Sequence, residues 1–171
     1  MDIDAVGTFN CSRAAFRTLC SQGGVIVNIS ATLHYGATWY QTHACAAKAA
    51  VDALTRSLAL EWGSFGVRVC GVAPGPIAGT AGMAKLAPGE GKMAEVLREI
   101  PLGRMGAKRD IANAVVFLVS DAASFVTGET LVVDGGAWIY RAPVVPRDMV
   151  SAAARKVEGA SRAVGLAKAK L

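Results

Sequence analysis

The chain has 171 residues, a net charge of +5 and 53% hydrophobic residues. No apolar run reaches the roughly 18 residues of a membrane-spanning helix, so we expect one soluble domain with a large core or interface. The four cysteines show neither CxxC nor zinc-site spacing, which excludes a predicted metal site and indicates reduced thiols in an intracellular compartment. They are Cys11, Cys20, Cys45 and Cys70.

The excess positive charge lies entirely after residue 137. The basic residues there are Arg141, Arg147, Arg155, Lys156, Arg162, Lys168 and Lys170, against Asp148 and Glu158. Because no aromatic residues are interleaved with them, this pattern is typical of an exposed or targeting extension and argues against a nucleic-acid-binding surface.

The first part of the chain shows a helix, strand, helix, strand pattern. Helical spacing of apolar residues predicts a helix over 4–20, and the β-branched run "GVIVNIS" predicts a buried strand over 24–30. After a polar and aromatic loop, the pattern predicts a helix over 43–62 and a second buried strand over 66–74. A strand, helix, strand unit indicates an α/β fold with a parallel sheet.

The second part adds one more helix and strand before a tail. Gly- and Pro-rich residues 75–92 predict a long functional loop with a short helical piece. A helix over 109–123 and a strand over 128–136 follow. Beyond these, sheet character is lost, and an Ala-, Arg- and Lys-rich helix is predicted over 149–164.

Four motifs together resemble the C-terminal half of a short-chain dehydrogenase/reductase. They are "GGVIVNIS", "AAKAAVDALTRSLALEW", "VRVCGVAPGPI" and "TGETLVVDGG". The resemblance covers residues 1–137 and implies part of a Rossmann-like, doubly wound parallel sheet, namely its last three strands with their helices. Residues 138–171 then form a basic, helical tail. No Gly-rich turn opens a helix after a first strand, so we expect the cofactor-binding N-terminal half to be missing.

The family's catalytic Ser, Tyr and Lys positions correspond to Ala31, Ala44 and Lys48 here. A Tyr and a Lys four residues apart share one face of a helix, where the ammonium lowers the pKa of the phenol for proton exchange. Alanine cannot do this chemistry. Tyr40 is one turn farther from Lys48 and is a weak substitute, whereas Thr32 is more simply a structural loop residue. A dead site and a different reaction both remain open at this point.

Asp4 favours a different reaction. Ordinary family members carry Asn where this chain has Asp4, and the loss of Ser and Tyr with Asp4 and Lys48 present resembles the peroxisomal 2,4-dienoyl-CoA reductases. That resemblance implies NADPH-dependent reduction of 2,4-dienoyl-CoA to 3-enoyl-CoA in the β-oxidation of unsaturated fatty acids. It makes Asp4 the acid/base group and Lys48 the residue that holds the nicotinamide ribose. The alternative for Asp4 is a helix N-cap.

The same resemblance assigns the remaining site residues and partners. The cofactor-binding turn comprises Pro74, Gly75, Pro76, Ile77, Ala78, Gly79 and Thr80. Lys85 is the candidate for a coenzyme A phosphate, with a solvated lysine as the alternative. A homo-oligomer is implied for the full-length enzyme.

The last three residues resemble the Ser-Lys-Leu peroxisomal address, which implies import through Ala169, Lys170 and Leu171. Two other functions stay open for the chain. One is a non-catalytic partner of full-length subunits, and the other is a carbonyl reductase with displaced catalytic residues.

Overall fold

A computed structural model describes residues 1–86 and 93–168, with side chains for all of these except residues 85, 86, 147, 148 and 164–168. The chain divides into two compact units, Met1–Tyr140 and Arg141–Leu171. A π-helical turn, Asp2–Val6, opens the first unit. The helices in chain order are α1 (Gly7–Gln22), α2 (Thr42–Trp62), α3 (Ala81–Leu86), α4 (Met93–Arg98), α5 (Lys108–Val119) and α6 (Arg147–Lys168).

Three parallel strands form the sheet, in the order β1 (Gly24–Ile29), β2 (Val67–Pro74) and β3 (Thr130–Val133). Parallel strands run in near-continuous apolar stretches because helices cover both faces of such sheets. In the register, Asn28 lies opposite Gly71, which lies opposite Thr130. The carboxyl ends of all three strands therefore meet at one edge.

Helices pack on both faces of this sheet. On one face, Leu58 and Trp62 of α2 bury against Val67 and Val69, with side chains of α1 beside them. On the other face, Leu118 of α5 packs against the alternate β2 residues. Side chains of a strand alternate between faces, so the central strand is buried on both sides. The prediction of a partial, doubly wound parallel sheet is confirmed.

Several predicted elements differ from the structure in their bounds. The strand predicted over 128–136 is shorter, Thr130–Val133, because Gly135 and Gly136 take positive φ angles of 67° and 87° that end extended backbone. The helix predicted over 109–123 ends at Val119, and a 3₁₀ turn, Asp121–Ala123, follows. Helix α4 was not predicted, because six residues are too few to establish a period.

The second unit consists mainly of α6, which extends the predicted helix at both ends. Its described side chains are exposed, and Glu158 pairs with Arg162 one turn later. Among the described residues, no helix combines the length and apolar character needed to cross a bilayer. The predicted targeting residues, Ala169, Lys170 and Leu171, lie outside the described residues.

Candidate active site

Lys48 lies in the second turn of α2, where its ammonium group reaches the carboxyl end of β1. The Lys48 Nζ donates one hydrogen bond to the Ile29 carbonyl at 3.0 Å and one to Asp4 Oδ1 at 2.8 Å. These two bonds use two of the three N–H donors of an ammonium group. One N–H donor of the ammonium group is therefore left over from these two bonds.

Asp4 reaches Lys48 from the π-helical turn that precedes α1. It lies inside that turn, and neither the turn nor α1 has a side-chain cap, so the N-cap alternative for Asp4 is wrong. The side chains of Lys48 and Asp4 are 20% and 42% exposed. A partly solvated ion pair of this kind adds only about 0–1 kcal/mol to stability, so folding alone gives little reason for the pair.

The turn Pro74–Thr80 leaves the end of β2 at the same edge of the sheet. Its second residue, Gly75, donates to the Val133 carbonyl at 3.1 Å, and Gly106 exchanges two 2.9 Å hydrogen bonds with the middle of the turn. A Cβ on Gly75 would lie 2.4 Å from the Cβ of Asp134, so only glycine fits there. In open α/β sheets, ligands bind beyond the carboxyl ends of the strands, where this turn and Lys48 both lie.

Comparison with known proteins identifies the family. A family model described as Enoyl-(Acyl carrier protein) reductase matches residues 1–137. The chain belongs to the short-chain dehydrogenase/reductase family. It is 52% identical to "Peroxisomal 2,4-dienoyl-CoA reductase [(3E)-enoyl-CoA-producing]" of Arabidopsis thaliana, over 100% of this chain and 61% of that protein. It is also 52% identical to the protein of the same name in Danio rerio, over 86% of this chain and 49% of that protein.

A solved structure of this reductase family has the same architecture. It is a putative 2-deoxy-d-gluconate 3-dehydrogenase from Agrobacterium tumefaciens with bound NADP, 37% identical to this chain with a TM-score of 0.75. The match covers 81% of this chain and 57% of that one. The chain thus spans about half the length of the curated relatives and solved structures that it matches.

The two positions that the family resemblance predicts for Ser and Tyr carry no hydroxyl here. Both are alanines, Ala31 after β1 and Ala44 one turn before Lys48 on α2. Tyr40 precedes the helix, is 92% exposed and has a φ of 59°, with its ring against Trp39. Thr32 closes a loop turn, since its carbonyl accepts from the Tyr35 N–H at 3.2 Å. The arrangement supplies an ammonium and a carboxylate but no phenol beside them.

Lys85 belongs to α3, but its side chain lies outside the described part of the structure. The described residues also hold no group of three or more acidic, His or Cys side chains suited to a metal ion. Lys85 as a coenzyme A contact stays a prediction.

One polar pair beside the site escaped the sequence analysis. His34 Nε2 lies 2.8 Å from Asp52 Oδ2, and both side chains are largely buried. Tyr35 lies next to the pair, and burial together with the Asp52 charge raises the pKa of its phenol to about 12. Asp52 comes four residues after Lys48, a helical spacing that was the available signal, but the path of the loop that brings His34 to it is not readable from sequence.

Proposed function

We propose that this chain forms the substrate-side half of an NADPH-dependent 2,4-dienoyl-CoA reductase. The reaction is reduction of a 2,4-dienoyl-CoA to a 3-enoyl-CoA during peroxisomal β-oxidation of unsaturated fatty acids. The observation that carries the proposal is the 2.8 Å Asp4–Lys48 pair at a site whose Ser and Tyr positions are alanine. The names of the relatives from Arabidopsis thaliana and Danio rerio agree with it.

The chemistry needs charge stabilisation rather than a phenol. Bound NADPH supplies a hydride, which adds at C5 of the conjugated thioester. Lys48 stabilises the negative charge that develops on the thioester oxygen, because its ammonium group is already held in place by Asp4 and Ile29. Asp4 acts as the acid/base group that delivers a proton to C2. Because its side chain is partly exposed, Asp4 can take up that proton from solvent. No alkoxide forms, so the missing tyrosine is not required.

The residues present fit a nicotinamide cofactor. The third Lys48 donor would hold a ribose hydroxyl, and the turn Pro74–Thr80 would offer backbone groups to the carboxamide and phosphates. The fixed path of that turn, held by Gly106 and by the contact of Gly75 with Asp134, supports this role. The choice of NADPH over NADH follows from the subfamily resemblance.

The remaining parts of the proposal concern partners and location. Lys85 contacts the coenzyme A moiety of a fatty acyl-CoA, the full-length form is a homo-oligomer, and Ala169, Lys170 and Leu171 address the protein to the peroxisome. A fluorescent protein carrying residues 141–171 tests the address. It should be peroxisomal, and the same fusion without Leu171 should be cytosolic. Identical distribution of the two fusions would contradict the targeting role.

The activity is tested with two proteins. One is this chain alone, and the other is this chain joined behind the N-terminal cofactor-binding half of the Arabidopsis relative. We expect dienoyl-CoA-dependent NADPH oxidation, with 3-enoyl-CoA identified as product, in the joined protein only.

Three results would point elsewhere. Turnover by the chain alone would mean that it assembles a complete cofactor site. If neither protein oxidises NADPH and the chain co-purifies with full-length subunits, the chain is a non-catalytic partner. Ketone reduction that survives Asp4→Ala but not Tyr40→Phe would favour a carbonyl reductase.

A further inference from the structure

The loop 31–41 between β1 and α2 is fastened to the side of α2. The Leu33 carbonyl accepts hydrogen bonds from Cys45 Sγ at 3.3 Å and from Thr38 Oγ1 at 3.2 Å. The next residue, His34, lies with Nε2 2.8 Å from Asp52 Oδ2. Cys45 and Asp52 both belong to α2, so the helix holds the loop at two points.

These two points of attachment lie on either side of Lys48 along the helix. Cys45 precedes Lys48 by three residues and Asp52 follows it by four, so all three side chains lie on neighbouring positions of one helix face. The loop therefore runs beside the lysine that the proposed function places at the reacting thioester. Its first residue, Ala31, is the family's Ser position.

The His34–Asp52 contact is buried in a way that the Asp4–Lys48 pair is not. Its side chains are 13% and 6% exposed. Because a carboxylate can only accept, His34 Nε2 donates in this contact, while the buried Nδ1 has no hydrogen-bond partner among the described residues. Removing either partner would leave a buried polar group without its hydrogen bond, a strong penalty that enforces the loop position.

Aromatic contacts complete the attachment. The ring centroids of His34 and Tyr35 lie 4.6 Å apart. The Tyr35 ring packs edge-on against Trp138, with 5.5 Å between their ring centroids. Trp138 follows β3, where Asp134 fixes it by accepting from its backbone N–H at 2.7 Å. Burial and the Asp52 charge raise the pKa of the Tyr35 phenol to about 12, which makes it a weaker acid than an exposed tyrosine.

We propose that His34 and Asp52 are positioning residues, which hold loop 31–41 beside Lys48 as a fixed wall of the acyl-substrate pocket. This inference rests on the proposed function for its substrate. The attachment itself does not depend on that function, so the two can be tested separately.

The attachment is tested by the reactivity of Cys45 in this chain. Alkylation by iodoacetamide is followed for each cysteine by peptide mass spectrometry, with exposed Cys11 as the reference and buried Cys70 as a probe of unfolding. Releasing the loop frees the Cys45 thiol, so His34→Ala and Asp52→Asn should each raise the Cys45 rate, relative to Cys11, about tenfold through local opening. His34→Gln keeps a side-chain N–H donor and should restore most of the protection. His43→Ala, which removes an exposed histidine from the start of the same helix, should change nothing.

The positioning role is tested by turnover of the joined protein described above. His34→Ala should lower kcat about tenfold and leave the KM for NADPH unchanged, as expected when geometry at the reacting centre is lost. His34→Gln should recover most of kcat. A purely structural histidine would instead lower the amount of folded enzyme and leave kcat per folded site constant.

Each outcome decides one part of the inference. Unchanged Cys45 rates in both His34→Ala and Asp52→Asn would overturn the attachment. If the Cys70 alkylation rate rises as much as the Cys45 rate, the variant is generally unfolded, and the attachment is overturned as well. Faster Cys45 alkylation with unchanged kcat would overturn the positioning role. If the parent joined protein shows no dienoyl-CoA turnover, the proposed function and the substrate wall fail together, while the alkylation rates still decide the attachment.

Discussion

The Lys48 ammonium pairs with Asp4 of the first helical turn and donates to the Ile29 carbonyl at the end of β1. We expect Lys48→Met in the joined protein to lower kcat by at least about 100-fold, as losses of charge stabilisation or proton transfer commonly do. Asp4→Asn should act similarly. The thermal unfolding midpoint should stay within about 2 °C, since the pair is partly exposed and adds at most about 1 kcal/mol.

Lys156→Met, in the exposed part of α6, is the matched control for losing one lysine. It should leave both kcat and the midpoint unchanged. A Lys48→Met protein that unfolds several degrees earlier but retains full turnover per folded molecule would make the ion pair structural.

Gly75 tests the rigidity of the cofactor turn. A methyl group at this position would meet the Asp134 backbone at 2.7 Å as well as its side chain, and neither can move without disturbing the hydrogen bonds that Asp134 accepts from Gly136 and Trp138. Gly75→Ala should therefore cost about 1–3 kcal/mol in the free energy of unfolding, measured in urea. Gly63→Ala, where nothing lies within 4 Å, is the control. Equal stability of the two variants would show that the turn is loose.

At the scale of elements, α5 begins with a charged cluster whose effect depends on pH. Asp110 Oδ2 accepts from Arg104 Nη1 at 2.8 Å and from the Ala107 N–H at 2.7 Å. These hydrogen bonds, that from Arg104 first, hold the pKa of Asp110 at about 2. A carboxyl whose folded pKa is depressed stabilises the fold above its unfolded pKa of about 3.9, and this stabilisation disappears as pH falls through the folded value.

Asp110→Asn should accordingly lower the unfolding midpoint at neutral pH, and the gap to the parent should close as pH falls from about 4 to about 2. Circular dichroism melts across this range measure it. Asp121→Asn, at an exposed acidic residue just after α5, controls for the loss of a surface carboxylate. A gap that persists at the acid end would mean that Asp110 acts through packing and not through its charge.

The elements were predictable where side-chain period and burial coincide. Helix α2 was predicted to within one residue, because its buried residues recur with helical spacing over about four turns, from Ala47 to Trp62. The predicted end of β3 was wrong, because the positive φ angle of Gly135 ends the extended backbone that the preceding apolar run indicates. The Asp4–Lys48 contact joins two residues that the family resemblance had already assigned to the site, whereas the His34–Asp52 contact depends on the folded path of a loop.

At the scale of the whole molecule, charge separates the two units. All of the net +5 lies beyond Tyr140, while the first unit carries equal numbers of acidic and basic residues. A protein ending at Tyr140 should therefore pass through a cation exchanger at pH 7 that retains the full chain.

The same shortened protein tests whether the first unit is stable without residues 141–171. Because the first unit is compact by itself, the unfolding midpoint of the shortened protein should lie within about 2 °C of that of the full chain. In the joined protein, dienoyl-CoA turnover should persist, because the proposed catalytic and cofactor residues all precede residue 141. A midpoint lowered by more than about 5 °C would mean that residues 141–171 contribute to the stability of the first unit.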